Sequence, residues 1–173
     1  MVTLRESNAE ANPFIACDNA RSVWAKHPTG APPRYDWKLT TTANIKAGMI
    51  VKLVAGATGG YSIVELAGTD RDAWGFVEFD PKQIADCTVA YASGDLVPVI
   101  PLQGNAGVIL RNIILLNPAA ALNPGTDLQA DAVGVSVQDG TGLVVGKLEN
   151  YLTNPAANTT IVMKLGAYLD FAV

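Results

Sequence analysis

The segment from Gly107 to Leu152 narrows the possible folds of this chain more than any other. It runs GVILRNIILL, NPAAALNPGTDLQAD, AVGVSVQDG and TGLVVGKLENYL, so apolar stretches alternate with turn-forming ones. Short runs rich in Val and Ile, bounded by Gly, Pro, Asn and Asp, are typical of β-strands. The segment therefore predicts short strands joined by tight turns. It contains no pattern of a nucleophile beside a base, a metal cage or a phosphate cradle.

Similar strand patterns occur on both sides of this segment. The runs Met49–Val54 and Tyr61–Ala67 flank the glycine-rich sequence AGATGG, which predicts a β-hairpin. Further strand patterns lie at Trp74–Phe79, Leu96–Ile100, Val108–Leu116, Ala132–Gln138, Leu143–Leu148 and Thr160–Leu165. We therefore predict an all-β fold, an antiparallel β-barrel, β-tulip or sandwich of about ten short strands with an extended N-terminal arm.

The sequence also predicts how two strands in the second half are joined. Ala132–Gln138 alternates between apolar residues, Val135 among them, and small or polar ones, which indicates a strand with one buried face. The Asp-Gly dipeptide that follows is favoured in hairpin turns, so Leu143–Leu148 is predicted to pair with this strand. Within the partner, Gly146 indicates a bulge or the close approach of another backbone.

Prolines predict the exceptions to the strand pattern. Pro98 and Pro101 lack an N–H group, which favours an edge strand or a bend over a central strand. The dipeptide Asp80-Pro81 combines a helix N-cap with a proline at the first helical position, and it predicts a short helix. The strand pattern resumes at Cys87–Ala92.

Residues 1–38 differ from the rest, and we predict that they form an extended arm, followed by a β-barrel domain over residues 39–173. The sequence HPTGAPPRYDW in the arm excludes a helix or a central strand because its prolines remove backbone donors. The arm either packs along its own domain or reaches a neighbouring subunit. Aromatic and arginine side chains dominate protein interfaces, so the candidate partner contacts are Trp24, Arg34, Tyr35 and Trp37.

The composition argues against several classes of protein. Charged residues make up 16% of the chain, compared with about 25% in typical domains, and 49% of residues are apolar. The net charge of −4 and the scattered basic residues argue against nucleic-acid binding, which needs clustered cations. The chain has no signal peptide pattern and no apolar run long enough to span a membrane. We therefore expect it in a cytosol or in a particle assembled there.

Each motif that could carry chemistry has a structural explanation. The glycine-rich Gly56–Ser62 lacks the Lys-Ser/Thr of a phosphate-binding loop, and a strand pattern follows it. The carboxylates within residues 70–86 lack the spacing of a Ca²⁺ loop. His27 is the one histidine, and Cys17 and Cys87 form no C-x-x-C motif, which favours two separate thiols over one disulfide. We predict no catalytic residue, no metal and no cofactor, and hence a protein that is not an enzyme.

The order of the turn and strand phrases resembles that of the head decoration (cement) proteins of tailed bacteriophages. Phrases of the type G-x-V-V, A-x-G-D-x-V-x-V, x-x-G-T-x-L/V, G-x-V-V-G-x-A-L/E and V-x-V-x-L recur in that family in this order. Here they match Gly48–Val51, Ala92–Val99, Pro124–Leu128, Gly142–Glu149 and Ile161–Leu165, so the similarity covers about residues 45–165. Leu148 stands where the family more often has Ala.

The resemblance implies a structural protein on the outside of a bacteriophage capsid. Its implied partners are the major capsid protein and further copies of itself, as a homotrimer that bridges capsomers and stabilises the shell. Such a protein is made in the host cytoplasm and is located on the virion exterior. Many modest contacts around a shell act together through avidity, which requires exposed edges and arms and no catalytic groups.

Two other functions stay open on the sequence alone. The chain could be a different phage virion part, such as a spike or fibre-base domain. It could also be a carbohydrate-binding β module or a β-barrel enzyme. A carbohydrate site would need exposed aromatic residues on a β face, which Trp74 and Tyr61 could supply, although aromatic residues are only 7% of the chain.

Overall fold

The described residues form thirteen β-strands, of which ten close into two small rings, while two others pair in a separate two-stranded sheet. A computed structural model describes residues 23–26, 29–67, 72–118 and 121–166, and these contain no α-helix. The all-β prediction is thereby confirmed. The strands are β1 (Trp24–Lys26), β2 (Asp36–Thr40), β3 (Ile50–Thr58), β4 (Tyr61–Leu66), β5 (Gly75–Val77), β6 (Leu96–Pro101), β7 (Ile109–Leu115), β8 (Ala121–Leu122), β9 (Asp127–Asp131), β10 (Gly134–Val137), β11 (Val144–Leu148), β12 (Leu152–Thr153) and β13 (Thr159–Leu165). The separate two-stranded sheet consists of β8 and β12.

The first ring is a closed barrel in the order β2-β4-β3-β5-β6. Its pairing registers place Thr40 opposite Val64, Val51 opposite Gly75 and Val77 opposite Val99. Because side chains alternate along a strand, these residues share the inner face of the barrel. They are fully or almost fully buried. Small β-branched residues suit an interior this narrow.

The second ring runs β7-β10-β9-β11-β13 and closes because β13 also pairs with β7. The short strand β1 adds to β7 beside β10, so β7 pairs with three strands. β7, which lies within the predicted strand Val108–Leu116, is therefore the strand at which the second ring closes. The side chains enclosed by this ring are apolar and buried, among them Ile113, Leu115, Leu128, Val135, Leu148, Ile161 and Met163.

The two rings touch closely near the start of β3. The amide of Ile50 donates a hydrogen bond to the carbonyl of Val133, with an N to O distance of 3.3 Å. Gly48 has φ of +85°, and a Cβ atom at this position would lie 2.2 Å from the backbone oxygen of Asn112. Glycine is therefore required here, both for the left-handed backbone and for the contact between the rings.

A buried carboxylate joins β1 to the first ring. Glu78, 6% exposed, accepts hydrogen bonds from the amides of Val23 at 2.5 Å, Trp24 at 2.7 Å and Phe79 at 2.6 Å. The carbonyl of Val23 in turn accepts from the amide of Arg111 at 2.7 Å, which ties the same segment to β7. Hydrogen bonds to an ionised carboxylate are stronger than neutral ones. Glu78 therefore holds the entry to β1 against both rings.

Two local predictions are confirmed. β3 and β4 form the expected hairpin, and its strands extend so far that Gly59 and Gly60 alone make the turn. Gly146 marks both a bulge and a close approach. The pairing of β11 with β9 shifts register between Val144 and Gly146, and a Cβ atom on Gly146 would lie 2.3 Å from the oxygen of Lys164.

The predicted helix after Asp80 is wrong. The amides of Gln83 and Ile84 donate to the carbonyl of Asp80, which makes one turn, but the helix does not continue. Two residues further on, the side chain of Asp86 accepts the amide of Thr88 at 2.7 Å and so stabilises a separate turn. The predicted strand at Cys87–Ala92 is also wrong, since it contributes a single bridge.

The predicted pairing of β10 with β11 is wrong as well, because β9 lies between them. The side chain of Gln129 on β9 accepts the amides of Asp139 and Gly142, at 3.3 and 3.2 Å. The Asp-Gly turn therefore crosses the end of β9 and does not close a two-stranded hairpin. The prediction of an edge strand at Pro98 and Pro101 is likewise wrong, since β6 pairs with β2 on one side and β5 on the other.

Part of the predicted arm lies outside the described residues. Residues 1–22 and 27–28 are among those not described. The choice between a disulfide and separate thiols for Cys17, and the environment of His27, therefore lie outside the described residues. The described part of the arm contains β1 and the first residues of β2, and residues 31–35 between them have no regular secondary structure. The division into an arm and a barrel domain stays a prediction.

The environment of Tyr91 leads us to predict that the protein loses stability at alkaline pH. The hydroxyl of Tyr91 donates to the carbonyl of Glu78 at 2.7 Å and accepts the amide of Asp80 at 2.8 Å, and its ring is fully buried. Burial, aided by the neighbouring carboxylates, raises the pKa of Tyr91 above its ordinary value of 10.0. Above that pH the unfolded chain loses this proton and the folded chain keeps it, so the stability falls as pH rises.

We expect this loss to reach about 1.4 kcal/mol at one pH unit above 10. Urea unfolding at pH 8, 10 and 11 measures it. Tyr91→Phe is the control, since it removes the titrating group. This variant should be less stable at pH 8 but should lose less stability than the wild type between pH 8 and 11. An equal loss in both proteins would contradict the assignment.

Candidate functional site

Residues that the sequence suggests as possible site residues have structural roles in the described part of the chain. Within that part, no three His, Cys, Asp or Glu side chains are placed to share a metal ion. Asp80 accepts the amide of Lys82 and the side-chain amide of Gln83, as expected for a turn-capping residue. The half-buried Cys87 accepts a hydrogen bond from the side chain of Asn112 at 3.7 Å. No helix in the described parts of the chain is long and apolar enough to cross a lipid bilayer.

The candidate site is a patch of exposed aromatic residues on the outer side of the first barrel. Among the described residues, the large hydrophobic side chains that are exposed are Tyr35, Trp37, Leu53, Tyr61, Val89, Val144 and Tyr151. Of these, Tyr35, Trp37 and Tyr61 belong to the patch. Trp37 is 47% exposed and Tyr61 is 40% exposed. Grouped exposed apolar side chains mark interaction surfaces more often than isolated ones do.

The register of β2 and β4 brings two of these aromatic residues together. The two strands are parallel, with Leu39 opposite Ile63 and Thr40 opposite Val64. Thr40 and Val64 point inward, so Leu39 and Ile63 point outward. Trp37 and Tyr61 each lie two residues earlier on their strands and therefore share this outer face at neighbouring positions. We call the surface formed by Tyr35, Trp37, Leu39, Tyr61 and Ile63 the aromatic face.

The aromatic face is the uncovered part of a larger apolar layer. Ile50, Phe76 and Ile100 lie on the same outer side of the barrel, since Phe76 pairs with both Ile50 and Ile100, and all three are fully buried. One of them, Ile50, is linked through its amide to the carbonyl of Val133, between β9 and β10. The outer residues of β2 and β4 have no such cover within the described chain. The layer therefore continues from a buried region onto the exposed surface.

A buried asparagine positions the segment that leads into the aromatic face. Asn105 is 2% exposed, and its side-chain oxygen accepts the amide of Arg34 at 2.7 Å. Its side-chain nitrogen donates to the carbonyls of Arg34 at 3.2 Å and Pro101 at 2.8 Å. The loop after β6 thus fixes the backbone just before β2, although the sequence indicated no more than a turn there. A fixed backbone reduces the entropy lost when side chains on it bind a partner.

Charged residues lie beside this segment on the inner side of β2. Asp36 lies 3.6 Å from the guanidinium of Arg34 and 4.0 Å from the ammonium of Lys38. The ammonium of Lys38 also lies 4.6 Å from the centre of the Trp74 ring, a cation–π contact. Trp74 is therefore half-buried beneath a lysine and does not join the exposed aromatic residues. Of the two aromatic residues considered for sugar binding, Tyr61 alone is exposed.

The structure separates Trp24 from the other three predicted contact residues. Arg34 and Tyr35 directly precede β2 and Trp37 lies on it, whereas Trp24 is half-buried on β1, paired with Leu110. Glu78 accepts the amide of Trp24 at 2.7 Å. Burial, and to a smaller extent the negative charge of Glu78, raises the pKa of Tyr35 above its ordinary value. Tyr61 was not predicted as a protein contact. The sequence feature that could have identified Tyr61 as exposed is its position directly after the Gly-Gly turn.

The β3–β4 hairpin extends beyond the barrel next to the aromatic face. Within the described residues β3 pairs with β5 at Ile50 and Val51 alone, which leaves one side of 53–58 without a strand partner. Residues 55–61 are all exposed, and none of them is charged. The nearest charged pair on the hairpin is Lys52 opposite Glu65. The hairpin thus has an open strand edge without charged residues. Many proteins place charged residues on such an edge, which prevents it from pairing with another strand.

Comparisons with known proteins do not assign this surface to a family. Neither the models of known protein families nor the curated proteins contain a match to the chain.

Proposed function

We propose that this protein is a non-enzymatic structural component of a bacteriophage virion that binds the outside of the capsid. In this proposal it contacts the major capsid protein, associates with copies of itself as a homotrimer, and stabilises the shell by bridging capsomers. The observation that carries a binding role is the aromatic face of Tyr35, Trp37 and Tyr61 on a rigid barrel. The identification of the partner as a capsid rests on the resemblance of the sequence to head decoration proteins.

The positions of the resembling phrases support the proposal. They lie at the start of β3, at the entry to β6, before β9, across β11 and within β13. Three of these strands, β9, β11 and β13, belong to the second ring, and β3 and β6 belong to the first. The resemblance therefore extends over both rings and does not depend on one common hairpin.

The architecture suits a protein that reinforces a shell. Ten of the thirteen described strands belong to closed rings, and closed sheets leave few free strand edges. Shell stability depends on many modest contacts that act together, so that each copy needs little affinity of its own. An exposed aromatic patch next to an uncharged strand edge supplies contacts of that kind.

The proposal is tested with capsids that lack this protein. Purified protein is added to such capsids, and the bound fraction and the temperature of capsid disruption are measured. We expect saturable binding to the exterior and an increase in the disruption temperature. No binding, or binding at a tail or baseplate site, would favour a spike or fibre-base protein.

The predicted arm allows a sharper version of this test. We expect a variant without residues 1–22 to fold, because it retains β1 and its contacts with Glu78, but to occupy capsids at least tenfold more weakly than the full chain. A cut after residue 37 is unsuitable, since it would remove the first residues of β2. Circular dichroism verifies the fold, and gel analysis of sedimented capsids measures occupancy. Equal occupancy by both proteins would contradict a capsid-binding role for residues 1–22.

One observation favours a second candidate function, carbohydrate binding. Trp37 and Tyr61 are exposed at neighbouring positions on a sheet, and aromatic faces of this kind can stack on sugar rings. A glycan array distinguishes the two functions. Specific binding to a glycan that is lost in Trp37→Ser would support a carbohydrate-binding module and count against a capsid cement.

A further inference from the structure

We infer that the dipeptide Asp139-Gly140 is a site of spontaneous isoaspartate formation, and that Thr141 and Gln129 suppress this modification in the folded protein. The inference goes beyond the proposed function, because it concerns the covalent chemistry of the chain and holds whatever the protein binds. Asp139-Gly140 is the one Asp-Gly dipeptide of the sequence. It lies in the turn between β10 and β11 that crosses the end of β9.

The reaction needs no enzyme and no co-reactant other than water. The amide nitrogen of Gly140 attacks Cγ of the Asp139 carboxylic acid, the new C–N bond closes a five-membered succinimide ring, and the hydroxyl of the acid leaves with the amide proton as water. Water then adds to one of the two ring carbonyls. Opening at the main-chain carbonyl leaves the chain joined through the side-chain carbonyl, so that the backbone gains one carbon atom and the mass is unchanged.

The surroundings of the dipeptide leave room for this reaction. Asp139 and Gly140 are both exposed. A Cβ atom on Gly140 would meet no atom of the described chain within 4 Å. Glycine also has the greatest backbone freedom of all residues. The dipeptide therefore presents little steric hindrance to ring closure, and protection has to come from the groups that bind it.

Thr141 opposes the first step because it holds the carboxylate. One oxygen of Asp139, Oδ1, accepts the amide of Thr141 at 2.9 Å and its hydroxyl at 2.6 Å. These bonds direct the carboxylate to the residue after the one whose nitrogen would attack. The bond from the Thr141 hydroxyl is also the largest cause that lowers the pKa of Asp139 below its ordinary value. The ionised form reacts poorly, since it has no hydroxyl to release as water.

Gln129 opposes the reaction because it holds the backbone on both sides of the dipeptide. Its side-chain oxygen accepts the amide of Asp139 at 3.3 Å and the amide of Gly142 at 3.2 Å. Gln129 is 6% exposed and lies on β9, so this double contact is anchored in the second ring. Ring closure rotates the bonds around Asp139, and the added backbone carbon lengthens the segment between the two amides. The turn therefore has to open before it can react.

The test follows isoaspartate in the full chain during storage at mildly acidic pH, at a temperature below the unfolding transition. Labelling with protein isoaspartyl methyltransferase measures the total, and electron-transfer fragmentation of the peptide that contains Asp139 locates the site. The variants are Thr141→Val and Thr141→Ser, which keeps a hydroxyl. Thr126→Val is the matched control, because it removes a threonine hydroxyl from another turn, where it donates to the carbonyl of Asn123 at 2.7 Å. Circular dichroism verifies each fold.

We expect Thr141→Val to form isoaspartate at Asp139 about fivefold faster than the wild type, the factor that corresponds to the loss of one hydrogen bond. Thr141→Ser and Thr126→Val should react at the rate of the wild type. Equal rates in Thr141→Val and Thr126→Val would overturn the role of Thr141.

The wild type alone provides a second test, which does not depend on the folding of a variant. Guanidinium chloride removes the contacts of Thr141 and Gln129, so isoaspartate should form at Asp139 at least about tenfold faster in the unfolded chain than in the folded protein at the same pH and temperature. Equal rates would show that the fold does not protect the dipeptide. Absence of isoaspartate at Asp139 in the unfolded chain would show that the dipeptide is not a modification site. Either result overturns the inference.

Discussion

Replacing Val135 with aspartate is expected to abolish the folded state. Val135 is completely buried on β10, with Ala130 of β9 on one side and Leu115 of β7 on the other. Its carbonyl also accepts the amide of Leu116 at 2.8 Å, so this position belongs to the seam that closes the second ring. No cation among the described residues is placed to pair with a carboxylate in this apolar interior.

The size of the effect follows from the energetics of burial. An unpaired carboxylate in an apolar core costs several kcal/mol, whether it stays ionised or takes up a proton. The whole stability of a domain is about 5–15 kcal/mol. We therefore expect Val135→Asp to be insoluble or to lack a cooperative thermal transition by circular dichroism.

Val144→Asp is the matched control. It introduces the same side chain on β11, where Val144 is 37% exposed and the carboxylate can remain in water. Its stability should lie within about 1 kcal/mol of the wild type. If Val135→Asp melted like Val144→Asp, the inner face of the second ring would be assigned incorrectly.

The second large effect is expected at Glu78. In Glu78→Ala, the amides of Val23, Trp24 and Phe79 lose the carboxylate that accepts them. Each buried donor left without an acceptor costs about 1–3 kcal/mol, although water that enters the space recovers part of this. We expect a loss of about 3–5 kcal/mol in the free energy of unfolding, measured by urea denaturation.

Hydrogen exchange shows where this loss acts. In Glu78→Ala the amide of Trp24 should exchange much faster, because β1 loses its link to the first ring, whereas amides within β13 should change only as far as global stability falls. Glu78→Gln retains an acceptor oxygen and should show a smaller loss. Glu149→Ala, at a half-buried glutamate, is the control and should change stability little. Unchanged exchange at Trp24 in Glu78→Ala would show that β1 is held by other contacts.

The features predicted correctly from the sequence are those that depend on neighbouring residues. The alternation of apolar and polar side chains indicates strands, and glycines mark the β3–β4 turn and the bulge at Gly146, because period and turn chemistry act over a few residues. The incorrect prediction of a helix after Asp80 also has a local cause. Its cap and proline suit a helix, but the chain makes a single turn there and a separate turn capped by Asp86 follows, so no helix is established.

For the candidate site, too, the sequence indicated local features, and the tertiary structure decided which residues lie side by side. The sequence led to Arg34, Tyr35 and Trp37 as candidate contacts by residue type, because these side chains are common in interfaces, and their role as contacts stays a prediction. The sequence did not indicate that Trp24 is half-buried, since its cover comes from the distant β7 and Glu78. Nor did it show that Tyr61 stands beside Trp37, because this follows from the parallel register of two strands separated along the chain.

By itself, the sequence determined that this protein consists of short strands with tight turns, and which residue types are available for contact. The tertiary structure alone decided that the strands close into two rings, that β9 separates β10 from β11, and which part of the outer layer remains exposed. The physical reason is that strand pairing joins residues far apart in the chain. Local periodicity indicates which residues form a strand, but the partner and the register depend on the packing of the whole core.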